Sequence, residues 1–74
     1  MNKELIKHLR SITNLSQEEL AERVGKHQSL ISKIELGTAE LTPQTQKAIL
    51  NVFAEEGVGG LEIAVLNSVI NKGV

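Results

Sequence analysis

The chain contains no cysteine, which excludes a disulfide framework and a thiolate-bound metal. No apolar run approaches the ~20 residues that span a bilayer. The first residues, Met1-Asn2-Lys3-Glu4, are polar, and no apolar signal-peptide core follows them. The expectation is a soluble, cytoplasmic protein with no membrane partner. No segment alternates with period two and no repeat recurs, so nothing points to a sheet. Catalytic signals are missing as well. His8 and His27 are isolated and fall in no ligand-spacing motif. There is no nucleophile motif, and Gly57, Gly59 and Gly60 lack the lysine that follows a phosphate-cradling loop. A chain of 74 residues is also short for enclosing a sizeable pocket. No enzyme activity, cofactor or metal site is expected.

A surplus of positive charge is also missing. The net charge is -1, whereas a dedicated DNA-binding domain usually carries a clear basic excess. Residues 1–37 hold six Lys or Arg against five Glu, and residues 38–74 hold two Lys against four Glu. The first half is therefore slightly positive and the second slightly negative.

What is present reads as one domain, residues 1–74. A chain of this size buries only about 60 % of the surface that its unfolded form exposes, so its stability is modest. The hydrophobic fraction of 41 % and the charged fraction of 23 % are ordinary for a globular protein. Five helical segments follow one another. Residues 2–12 place Leu5, Ile6, Leu9 and Ile12 at helical spacing behind Asn2 as N-cap. Ser16-Gln17-Glu18-Glu19 is a capping box, in which each side chain satisfies the other's free backbone N–H. Leu20, Ala21 and Val24 form the stripe behind it, and Gly25 ends the helix where a left-handed residue is needed. Residues 28–36 carry Leu30, Ile31 and Ile34, and Gly37 closes them. Thr42-Pro43 opens a fourth helix, with Ala48, Ile49, Val52 and Phe53 as its buried face and Glu55-Glu56-Gly57 as its stop. After Val58-Gly59-Gly60, residues 61–71 form the last. The fold class is all-α, a compact five-helix domain.

Two short helices joined by a brief turn with a glycine make a helix-turn-helix, at about residues 16–36. Ala21 has to be small there, because the next helix packs across it. Residues 15–37, LSQEELAERVGKHQSLISKIELG, resemble the helix-turn-helix of the phage repressor and Cro group, the XRE family. The matching positions are Gln17, Leu20, Ala21, Val24, Gly25, Gln28, Ile31, Ile34, Glu35 and Gly37, and a looser likeness runs from about residue 4 to residue 66.

The resemblance implies a fold like the phage repressor DNA-binding domain and roles for particular residues. Gln17 is expected to bond a phosphate at the start of the second helix, helped by the backbone N–H groups there. Gln28 opens the recognition helix and suits a bidentate contact to an adenine edge. Ser29, Ser32 and Lys33 share its exposed face, and Lys26 and His27 precede it within reach of phosphate. Arg10 and Glu35 match a family pair that ties the first helix to the end of the third.

The chain departs from the family pattern at three places. The loop Thr38-Ala39-Glu40-Leu41 carries no cation and one carboxylate, where DNA-binding relatives often carry Lys or Arg. Leu30 stands where Ser or Thr is usual. It is expected to be exposed, for a thymine methyl or for another protein. Leu36 replaces a polar or basic residue. In the last helix Leu61, Ile63, Ala64, Val65, Leu66, Val69 and Ile70 cover more than one face. They are therefore expected either to meet a second chain, with Val65, Val69 and Ile70 at the interface, or to wrap into the chain's own core.

Two functions remain open at this point. One is a homodimeric transcription regulator that binds a double-stranded DNA operator in a phage or prophage genetic switch. The other is an antirepressor, a modulator of repression that binds a partner phage repressor through Leu30, Leu36 and Glu40. Antitoxins and restriction controller proteins share the first reading.

Overall fold

The computed structural model describes residues 2–72, with the side chains of Leu61, Asn67, Ile70, Asn71 and Lys72 outside the description. The described residues form five helices and no strand: α1 (Lys3–Thr13), α2 (Gln17–Val24), α3 (Gln28–Leu36), α4 (Pro43–Glu55) and α5 (Gly60–Lys72). The chain is thus all-α, as expected.

Local chemistry sets most of the boundaries. Asn2 caps α1, its Oδ1 accepting from the Leu5 N–H at 2.8 Å. At α2 the capping box closes in both directions. The Glu19 N–H donates to Ser16 Oγ and the Ser16 N–H to Glu19 Oε1, each at 3.0 Å. The bond from the Ser16 backbone N–H, with the nearby Ser16 hydroxyl adding to it, holds the Glu19 carboxyl below its ordinary value. Thr42 caps α4 through the Thr45 N–H, with Pro43 in the first turn. The Thr42 hydroxyl also donates to the buried Thr45 hydroxyl at 3.0 Å, so this buried polar group is satisfied.

α1, α2 and α3 all stop in the same way. A residue in the left-handed region follows each: Asn14 (φ 63°), Gly25 (φ 73°) and Gly37 (φ 82°). The next N–H turns back to a carbonyl five residues earlier: Leu15 to Arg10, Lys26 to Ala21, Thr38 to Lys33. Asparagine tolerates that conformation and the two glycines meet no penalty in it.

The core is built from Leu5, Ile6 and Leu9 of α1, Leu20 and Ala21 of α2, Ile31 and Ile34 of α3, and Ile49, Val52 and Phe53 of α4. α2 packs on α3 and α4, and α1 on α3 and α5. From α5, Ile63 and Leu66 are partly buried against this cluster. Three positions differ from the helical-spacing expectation. Ile12 is 53 % exposed, because it lies a turn beyond Leu9 and faces an open hollow with Val58, Val65 and Leu66. Val24 and Ala48 are half-buried rather than buried, at the margins of their stripes.

The start of α5 is an incomplete version of the start of α2. The Glu62 carboxylate accepts the Gly59 N–H, and the Ile63 N–H donates to the Gly59 carbonyl at 3.1 Å. Glycine has no hydroxyl with which to return the bond. A β-carbon at Gly59 meets only Glu62 Oε2, at 3.4 Å, and its φ lies outside the left-handed region. Gly59→Ser is therefore expected to complete the box and stabilise the fold by about 0.5–1 kcal/mol. The measurement is the urea midpoint, which should rise at constant slope. A lowered midpoint would show that the N-terminal turn of α5 has no room for the side chain.

Candidate nucleic-acid interface

Ala21 is 2 % exposed where α2 and α3 meet. Gly25 lets the chain reverse between the two helices with no β-carbon to strain the backbone. α3 follows directly, with His27 at its N-cap making no side-chain cap bond. The first-turn N–H groups of α3 are therefore not covered by a capping side chain, and the positive end of its dipole is presented there.

Lys26, His27, Ser29 and Lys33 line one shallow hollow together with Gly25 and Leu30. All four are exposed, as is Gln28 in the first turn of α3. Ser32 is only half-buried on the same helix, which follows from its place one residue from the core position Ile31. Two lysines, a histidine and hydroxyl and amide groups around a helix start can neutralise phosphate and donate to base edges.

Gln17 sits apart from that hollow. Its Nε2 donates to Glu35 Oε1 at 3.1 Å, so one amide hydrogen is committed within the protein and only the other is left for a phosphate. Glu35 is the centre of a three-residue network. Arg10 Nε donates to Glu35 Oε2 at 2.7 Å and Arg10 Nη2 to Glu35 Oε1 at 2.8 Å, a bidentate pair. Arg10 Nη1 adds a bond to the Leu15 carbonyl at 3.2 Å. The network joins α1, the α1–α2 loop, α2 and α3. Burial pushes the Glu35 carboxyl up, but the bonds from Arg10 and Gln17 and the charges of Arg10 and Lys7 outweigh it, and the net shift is down. The Arg10 guanidinium is raised by its bonds to Glu35 against an opposing effect of burial.

A second ionic contact was not foreseen. Arg23, in the last turn of α2, donates to Glu56 at 2.6 Å and to Glu55 at 3.3 Å. It fixes the end of α2 to the end of α4. The sequence separation of 32 and 33 residues hid it, since a charge pair is legible in sequence only at helical spacing.

The departures from the family pattern resolve differently from one another. Leu30 is partly buried and packs against the core, which corrects the expectation of an exposed leucine. It lies one residue before Ile31 and turns inward at the rim of the core. Leu36 is 68 % exposed, and Glu40 is exposed. In α5, Val65 and Val69 are 55 % and 62 % exposed, while Ile63 and Leu66 face inward. The excess of apolar residues in this helix is thus divided between core and surface. The side chain of Ile70, placed with Val65 and Val69 from sequence, lies outside the described residues.

Among the described residues no group of three His, Cys, Asp or Glu side chains is arranged to hold a metal ion. None of the described helices is long and apolar enough to cross a membrane. A family model described as helix-turn-helix matches residues 6–56. That span runs from α1 to the end of α4 and leaves α5 beyond it. No curated protein and no solved structure matches the chain significantly.

Proposed function

The chain belongs to the helix-turn-helix family, and on that premise we propose that it is a transcription regulator that binds operator DNA through α3. The observation that carries this reading is the cluster before α3 and along its exposed face. Lys26, His27, Ser29 and Lys33 converge on one hollow, beside exposed Gln28 and an uncovered helix N-terminus. Phosphates are met at the turn by Lys26 and His27, and by the free amide hydrogen of Gln17. Bases are read by Gln28 and Ser29, with Lys33 and Ser32 along the same helix. The operator is palindromic and the regulator a homodimer. Two copies of α3 then enter successive major grooves, about 34 Å apart. The exposed Val65 and Val69 of α5, with Ile12 beside Val65, form the face on which the copies meet. The resemblance to phage repressors makes a phage or prophage switch the setting of this activity.

The test is selection from random duplex DNA at low salt, followed by a salt series on the enriched sequence. A two-fold symmetric site is expected, with affinity falling steeply as salt rises. Gln28→Ala should relax discrimination at one base position by about 1–3 kcal/mol. Lys33→Ala should weaken binding to all sequences alike if it meets phosphate, and relax a base position if it reaches a base. Failure to enrich any sequence removes the DNA-reading function.

A further inference from the structure

We propose that Lys3 and Lys7 of α1 form a second phosphate-binding edge, at the C-terminal end of α3 and opposite Lys26 and His27. The proposal rests on the DNA-binding reading above. It answers a difficulty in that reading, because the C-terminal end of α3 is poorly suited to a polyanion by its own residues. The negative end of the helix dipole lies there. The last turn carries one cation, Lys33, on the side of the Lys26 hollow, and with it Glu35; Leu36 is exposed and apolar, and residues 38–41 contribute Glu40 and no cation.

α1 packs along α3 and supplies the missing charge. Lys3, Lys7 and Arg10 are spaced i, i+4 and i+7, so they share one stripe of α1. Each is tied to residues 35–37 by a separate observation. Arg10 bonds Glu35. The charge of Lys7 helps to lower the Glu35 carboxyl. Lys3 Nζ reaches Gly37, where it would stand 2.9 Å from a β-carbon. The stripe therefore borders the end of α3 and the start of the loop after it.

The three cations are not equivalent. Arg10 is spent on Glu35, with its side chain 16 % exposed. Lys3 and Lys7 are exposed, and neither belongs to any of the ion pairs among the described residues. The C-terminal dipole of α3 holds Lys3 near the end of the helix without neutralising it.

The spacing suits a duplex. α3 has nine residues, about 13 Å at 1.5 Å per residue. Lys26 lies at one end of that length and Lys3 and Lys7 at the other, so the two groups of lysines are placed to meet phosphates at separate points of the backbone. A chain of net charge -1 is then locally cationic along the edges that meet phosphate.

The experiment compares salt dependence for the wild-type chain, the Lys3→Gln/Lys7→Gln double variant and the control Lys47→Gln, whose exposed lysine lies on α4. Each phosphate contact contributes about 0.9 to the slope of log affinity against log salt, so the double variant should lose about 1.8. Its affinity should fall on every duplex alike, with the selected sequence unchanged, and Lys47→Gln should match wild type. Lys3→Arg/Lys7→Arg, which keeps the charges, should restore slope and affinity and so exclude a folding fault. An unchanged slope in the double variant, with wild-type binding intact, overturns this edge and leaves the DNA-binding reading standing. Absence of salt-dependent binding by wild type overturns both.

Discussion

Phe53→Ala is expected to bring the fold to the edge of unfolding at room temperature. Phe53 is 0 % exposed and is the chain's one aromatic residue. It is among the largest fully buried side chains, in a core drawn from α1, α2, α3 and α4. Removing its ring deletes the transfer free energy of six carbons and leaves a cavity that the helices around it close only in part. Such a change costs about 3–5 kcal/mol. A chain of this length has about 4–11 kcal/mol in total, so the loss takes from about a quarter to all of its stability. Far-UV circular dichroism during urea unfolding is the measurement. The midpoint should drop by at least about a quarter of the wild-type value. A loss below about 1 kcal/mol would mean that the core closes over the gap, and that α4 is held elsewhere.

Arg10→Ala is expected to be nearly as damaging and to change the response to acid. The Arg10 side chain is 16 % exposed and that of Glu35 5 %. Removing the cation strands a carboxylate that has been taken from water. Breaking such a pair from one side costs about 3–5 kcal/mol, here toward the lower end because Gln17 still donates to Glu35. The pH dependence distinguishes this from simple loss of packing. In the wild type Glu35 is held below its ordinary value. Its stabilising contribution is therefore present above the unfolded value, about pH 4.3, and is lost as pH falls through the lower folded value. In Arg10→Ala burial, already the largest single influence on Glu35, is no longer opposed by Arg10, and the balance moves toward the protonated form. The folded value is expected to rise above the unfolded one against the remaining Gln17 bond and Lys7 charge, and acidification toward about pH 4 then relieves part of the loss. Unfolding midpoints at a series of pH values should show the wild type weakening where the variant recovers. Parallel profiles would mean that Arg10 acts through its aliphatic stem alone.

The candidate interface was legible where it depended on helix position and not where it depended on what lies beneath. Lys26, His27, Ser29 and Lys33 are close in sequence, and one turn of helix brings them together whatever surrounds them. Gln28 is likewise placed by the N-terminus of α3. Leu30 was misread as exposed, because a residue beside the core stripe tips inward or outward with the tilt of α3 on α2. Gln17 was read for phosphate alone. Its bond to Glu35 depends on how α2 and α3 cross, and a local pattern carries no crossing angle. Leu30 is only partly buried and still lines the hollow with Lys26 and Lys33. Leu36 and Glu40 remain at the surface.

By itself the sequence determined that this protein is all-helical, where its helices begin and end, and which family it resembles. Those are local matters: the caps at Asn2, Ser16 and Thr42, the left-handed stops at Gly25 and Gly37, and apolar spacing near 3.6. Their energetics involve groups within a few residues of one another. Only the tertiary structure decided that Glu35 gathers Arg10 and Gln17, that Arg23 clasps the end of α4, and that Lys3 reaches the end of α3. It also divided α5 into an inward face with Ile63 and Leu66 and an outward one with Val65 and Val69. Each of those outcomes depends on how packed helices cross, which is set by the joint fit of side chains far apart in sequence.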